Sequence, residues 1–257
     1  MVEHSTRTHA LLSASGASRW MNCTPSMRME ESLNLVEESS VFAEEGTLAH
    51  EFADLFLRRF VWLISKEGYA PAALIDSIQK KELAKLRAHK LYTGEMGDFV
   101  AVYVDYVISQ YNIAVKKTKD AELLIEAKTD FSYLVPEGFG TSDANIVSDG
   151  LLEVIDLKYG SGIKVSAINN PQMRLYALGI LREMSMLYDI KEVKMTIVQP
   201  RLDHIESEFL TVKELEAWAE NEVKPAAKKA FEGSGDCNPG TWCRFCKAKP
   251  VCKALAD

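Results

Sequence analysis

Asp156 and Lys158 stand two residues apart near the end of an apolar run, Gly150-Leu-Leu-Glu-Val-Ile-Asp-Leu-Lys-Tyr-Gly160. The run reads as a buried strand, and alternation along a strand puts positions two apart on one face. Burying an acid and a base is costly unless they pair with each other or hold an ion. Two readings follow, a structural salt bridge or a metal-dependent hydrolytic site. Asp143 bears on the choice. It lies on the preceding apolar segment, and the two segments are joined by Asp149-Gly150, a favoured dipeptide for a two-residue type I′ hairpin turn. Such a turn pairs residues whose numbers sum to about 299, so Asp143 falls opposite Asp156. Two carboxylates so placed repel unless a cation lies between them, which favours the metal reading.

Further side chains have chemistry of their own. His50 follows Gly46-Thr-Leu-Ala, small residues beside a potential imidazole ligand, although a lone His is more often structural. Gln172 and Tyr176 are four apart at the start of a helical pattern and share its face. Four of the five cysteines, Cys237, Cys243, Cys246 and Cys252, fall in the last 21 residues, and Cys243-x2-Cys246 with Cys252 beyond has metal-ligand spacing. A zinc site using the four tail cysteines competes here with an iron-sulfur cluster that recruits Cys23.

These residues need elements to position them. N-cap chemistry after Leu12 predicts a short helix with Ala17, Trp20 and Met21 on one face, closed at Cys23, and the first eleven residues read as loosely ordered. Helices are expected over Glu44–Ile64, Ala72–Leu91 and Gly97–Ala114. In the last of these Phe99, Val102, Tyr103, Tyr106 and Val107 read as a core stripe. From Ala121 the period changes to that of strands, over Glu122–Lys128, Phe139–Ser148 and the opening run. Asn169-Asn-Pro starts a helix, Val193–Pro200 is a final strand, and Thr211-Val-Lys-Glu214 is a capping box opening one long helix to Phe231.

The 257 residues, 47% of them hydrophobic, suffice for one large domain or a domain with an appendage. A net charge of −7 argues against a protein that coats nucleic acid through overall positive charge, but leaves room for a local basic channel in Lys80–Lys90, Val115–Lys119 or Arg244–Lys253. No secretory signal and no membrane-spanning apolar run is read, so a cytoplasmic location is expected, where cysteines serve as thiols or ligands.

Taken together, Gly46 to His50, Gly140-Thr-Ser-Asp143, Asp156-Leu-Lys158 and Gln172-Met-Arg-Leu-Tyr176, in this order, resemble the PD-(D/E)XK nuclease superfamily. The resemblance is to the RecB-like, AddB-like branch with a C-terminal iron-sulfur cluster, which includes CRISPR-adaptation exonucleases; phage-encoded recombination nucleases are similar. It implies an α/β restriction-endonuclease-like core (helix, three strands, helix, strand) with extra N-terminal helices and a Cys-rich C-terminal tail. Residues 1–43 would carry the first cluster cysteine, 44–210 the core with a helical insertion at 72–114, and 211–257 the last helix and cysteine tail. His50, Asp143, Asp156 and the Leu157 carbonyl would hold Mg²⁺ or Mn²⁺. Lys158 would orient water or stabilise charge, while Gln172 and Tyr176 would position the lysine or the DNA backbone. Cys23, Cys243, Cys246 and Cys252 would bind a [4Fe-4S] cluster, with Cys237 an alternative ligand and Zn²⁺ an alternative metal. Two residues depart from the pattern: Asp156 stands where Glu is common, and Cys237 is a fifth cysteine. The implied activity is an exonuclease acting on single-stranded DNA or DNA ends in phage or bacterial recombination, repair or replication, with a single-strand annealing or ssDNA-binding protein as a further partner. The alternative is a catalytically inactive DNA-binding or assembly module on the same fold.

Overall fold

A computed structural model describes residues 10–33, 40–65 and 72–256, so most of the N-terminal stretch expected to be loosely ordered lies outside the described residues. Short helices α1 (Ala17–Asn22) and α2 (Ser26–Ser32) come first, followed by α3 (Val41–Ile64), α4 (Ala72–Arg87) and α5 (Gly94–Lys117). Strands β1 (Glu122–Asp130), β2 (Phe139–Ser148) and β3 (Gly150–Leu157) precede α6 (Pro171–Met184), then β4 (Ile190–Gln199) and β5 (His204–Thr211). The chain ends with α7 (Val212–Trp218), α8 (Lys224–Glu232), two 3₁₀ turns in the cysteine tail and α9 (Lys253–Ala256).

One mixed sheet runs β1-β2-β3-β4-β5, antiparallel throughout except for the parallel β3–β4 pair. A parallel pair needs a crossover, and α6 supplies it. α6, α1, α7 and α8 cover one face, around Trp20, Leu152, Val154, Met173 and Ile197. α3 and α5 cover the other, around Phe52, Tyr103, Ile155 and Leu157. Enclosure on both sides explains why β3 reads as a nearly continuous apolar run. Among the described residues no helix is long and apolar enough to cross a membrane.

The β2–β3 register matches the expectation, since Ala144 faces Ile155 and Ser148 faces Leu151, but the turn is not type I′. That type needs positive φ at both central residues, and only Gly150 has it, at 86°. Asp149 is committed elsewhere, its Oδ1 accepting the Asp189 N–H at 2.8 Å. On α5 the core stripe is Val100, Tyr103, Val104 and Val107, whereas Val102 is exposed. The expected final strand is followed by another, β5, whose polarity is inverted: His204 and Glu208 face inward, while Ile205 and Phe209 face solvent. The helix expected from Thr211 to Phe231 keeps its capping box but is split by a π-helical turn at Ala219–Val223, just ahead of Pro225, which cannot donate the next backbone hydrogen bond.

Candidate metal centre

At one end of the sheet β2 brings Asp143 beside the end of β3. Asp143 Oδ2 accepts the Leu157 N–H at 2.7 Å, and its Oδ1 lies 3.3 Å from His50 Nδ1 on α3. The contact made by Leu157 is thus through its amide. Asp156, 2% exposed, has the Lys158 ammonium 2.8 Å from Oδ2, yet no hydrogen bond of good alignment reaches that oxygen. Lys158 Nζ donates to Gln172 Oε1 at 3.0 Å, and Gln172 Nε2 donates to the Tyr176 hydroxyl at 3.1 Å. Gln172 is placed by the start of α6, where Asn170 caps the helix by accepting from the Gln172 and Met173 amides. Gly140 has a packing reason to lack a side chain: a Cβ there would come within 2.8 Å of the Tyr176 ring.

The groups shift one another's protonation. Burial works against a charged His50, but Asp143, by charge and hydrogen bond, and then Asp156 push its pKa up to about 9. Burial opposes ionisation of Asp143 too, yet His50, the Leu157 amide and Lys158 hold its carboxyl below the usual range. Asp156 is raised, burial outweighing the ammonium beside it. Burial disfavours the charged Lys158, but Asp156 and Asp143 keep its pKa above the ordinary lysine value, so it is a cation at neutral pH.

Glu126 on β1 is the residue that the motifs do not include. One ligand atom each from His50, Glu126 and Asp143 lie within 4.8 Å of one another. Burial, and next the Asp143 charge, push the Glu126 pKa up to about 7. The available signal was an acid interrupting the apolar run Leu123-Leu-Ile-Glu-Ala127, in which Leu123 is buried and its neighbours are half-buried. An imidazole with carboxylates is a donor set suited to Mn²⁺ and, through its oxygens, to Mg²⁺.

A second group of polar residues, also unmarked by the motifs, fixes the loop between Lys158 and Gln172. Gln199 receives the Val165 N–H and donates to the Gly160 and Ile163 carbonyls. Glu206 accepts from Ser166 Oγ and the Ala167 amide. Glu208 accepts the Asn169 amide and forms a bidentate ion pair with Arg174 on α6, at 2.7 and 2.9 Å. Inward-facing acids on β5 therefore hold the α6 start that carries Gln172.

All five cysteines line one small cavity, with Ser26, Met29 and Leu255 among its other walls. Cys237 is not peripheral: burial first, then the nearby Cys23 and Cys252 thiols, push its pKa up to about 11. Cys243 Sγ accepts the Gly240 N–H. Contacts far apart in sequence bring Cys23 to the tail. Arg19 donates to the Phe245 carbonyl, Asn238 to the Asn22 carbonyl, and the Lys247 amide to Glu30. A separate cavity of about 740 Å³, between the C-terminal half of α6 and α7, is lined by none of these groups.

Two crystal structures are similar in shape. A protein from Eubacterium rectale, provisionally named an exonuclease, matches with a TM-score of 0.47 at 10% identity, over 93% of this chain and 87% of that one. SSO0001 matches with a TM-score of 0.33 at 16% identity, over 93% of this chain and 97% of that one. The family model described as "Protein of unknown function (DUF2800)" matches residues 9–257, and the chain belongs to that family.

Proposed function

We propose that this chain is a metal-dependent nuclease that hydrolyses phosphodiester bonds in DNA. The observation that carries the reading is the placement of a charged lysine, held between Asp156 and Gln172, beside the His50–Asp143 pair. His50 and Asp143 are the first ligands of a divalent cation, and the motif resemblance completes the set with Asp156 and the Leu157 carbonyl. A cation bound there would polarise a phosphoryl oxygen and lower the pKa of bound water. Lys158 presents a fixed positive charge to the oxygens on which charge develops. Asp156 and Gln172 orient that charge, and Tyr176 in turn holds the Gln172 amide.

The resemblance extends the proposal to exonucleolytic action on DNA ends, in phage or bacterial DNA metabolism, with a single-strand annealing or ssDNA-binding protein as partner. The cysteine cavity supports a structural [4Fe-4S] cluster held by Cys23, Cys243, Cys246 and Cys252, or with Cys237 in place of one of them. Iron and zinc analysis with visible absorption of anaerobically purified protein separates this cluster from a zinc site; one equivalent of zinc with no iron would rule the cluster out.

The activity is tested with end-labelled linear and circular DNA, single- and double-stranded, in Mn²⁺ or Mg²⁺. Cleavage by wild type that is lost in Asp156→Ala and Lys158→Ala is the expected result. Retention of cleavage in both variants would overturn the assignment. Metal-independent DNA binding with no cleavage would support the inactive-module alternative instead.

A further inference from the structure

We infer that Glu126 is a ligand of the cation, a protein carboxylate beyond the set that the motif resemblance supplies; the inference rests on the metal-dependent reading above. His50, Glu126 and Asp143 come from α3, β1 and β2, and they converge to within 4.8 Å although 76 and 17 residues separate them in sequence. Next to them the Asp156 carboxylate, on a side chain 98% buried, is paired with the Lys158 ammonium 2.8 Å from its Oδ2, so the acids outnumber the one fixed cation at the site.

The backbone at Glu126 is built for this position. The β1–β2 ladder pairs Ile125 with Ala144 and Ala127 with Ser142, but the Glu126–Asp143 step between them is missing. Glu126 has φ 49°, a left-handed conformation that an L residue adopts at a cost. Side-chain alternation changes phase there. Leu123 and Ile125 face the α3–α5 layer, whereas Ala127 packs toward α6. An unbroken strand would have continued the alternation. The kink at Glu126 is therefore a local departure that accompanies its approach to His50 and Asp143.

Charge gives an independent count. Ionised Glu126, Asp143 and Asp156 carry three negative charges, and Lys158 returns one positive charge. The remaining two are the charge that one divalent cation neutralises when His50 binds as a neutral ring. The nearby Asp54 and Arg58 form their own pair at 2.6 Å and drop out of this count. Without Glu126 the same centre with its cation would hold a surplus positive charge in a largely buried site.

The test is Mn²⁺ affinity, measured by electron paramagnetic resonance of free Mn²⁺, for wild type, Glu126→Gln, Glu126→Gly and Asp156→Asn, with melting in EDTA as the fold control. Glycine suits φ 49°, so Glu126→Gly is expected to melt no lower than wild type. Both Glu126 variants are expected to lose at least tenfold in Mn²⁺ affinity. Affinity within twofold of wild type in both would overturn the inference, leaving the metal-dependent reading intact if Asp156→Asn still weakens binding. Wild type that binds no Mn²⁺ would overturn both.

Discussion

Manganese affinity should climb steeply with pH, because the cation must displace protons that the cation-free site holds tightly. Imidazole binds a metal only as the neutral ring, and carboxylates bind ionised. In the cation-free protein His50 keeps its proton up to about 9 and Glu126 up to about 7. Binding near pH 8 therefore releases about one proton, and near pH 6 about two, which correspond to slopes of roughly one and two decades per pH unit. Integrated from pH 6.0 to 8.5, the gain is roughly three decades. An ordinary His with an ordinary Glu, titrating near ~6.5 and ~4.3, would gain less than one decade over the same range. The stability of the cation-free protein should move the other way. His50 has a raised folded pKa, so its pairing with Asp143 contributes fully below about 6.5 and is lost as pH rises through about 9. Free Mn²⁺ titrations at several pH values, with melting in EDTA alongside, read both trends. His50→Asn should flatten the rise to roughly one decade, the part that belongs to Glu126. A wild-type gain below one decade would show that Asp143 and His50 are not coupled as the 3.3 Å contact requires.

Three other perturbations separate the parts of the molecule. Cys23→Ser cuts the covalent route between segments 220 positions apart, taking Cys243 as the far ligand. If the cluster bonds survive unfolding, chain entropy puts the loss at about 5 kcal/mol; iron retained with melting unchanged would exclude Cys23 as a ligand. Glu208→Leu strands the buried Arg174 guanidinium and should cost about 3–5 kcal/mol by chemical denaturation, much of it recovered by adding Arg174→Met. Equal destabilisation in the single and double variants would refute the pairing argument. Gly140→Ala pushes a methyl into the Tyr176 ring, so its cleavage rate should fall further than that of Tyr176→Phe, which loses only the contact with Gln172, about 1 kcal/mol.

What could be read from the sequence, and what could not, follows from how local each determinant is. Asp143, Asp156 and Lys158 were legible because two-residue alternation and a two-residue turn propagate register without reference to the rest of the chain. The register survived even though the turn itself has positive φ only at Gly150. Gln172 and Tyr176 were legible for the same reason, helical spacing after Asn170-Pro171. Strand β5 was not, because its buried positions are His204 and Glu208 and its exposed ones Ile205 and Phe209, the reverse of what burial ordinarily selects. That inversion makes sense only once α6 and the 159–170 loop are in place, since Glu206 and Glu208 face inward to receive their amides and Arg174. Glu126 was hidden by a similar dependence on distant parts. Its reach toward His50 and Asp143 accompanies a left-handed residue in the middle of a strand, and no strand propensity foretells one. Residues placed by periodicity give the motif; those placed by tertiary contact, Glu126, Arg174 and Glu208, decide whether the motif residues meet. If this division holds, substitutions at Glu126 should act on the cation and those at Glu208 on the geometry of Lys158 and Gln172. Metal affinity would then separate them where cleavage rate alone would not.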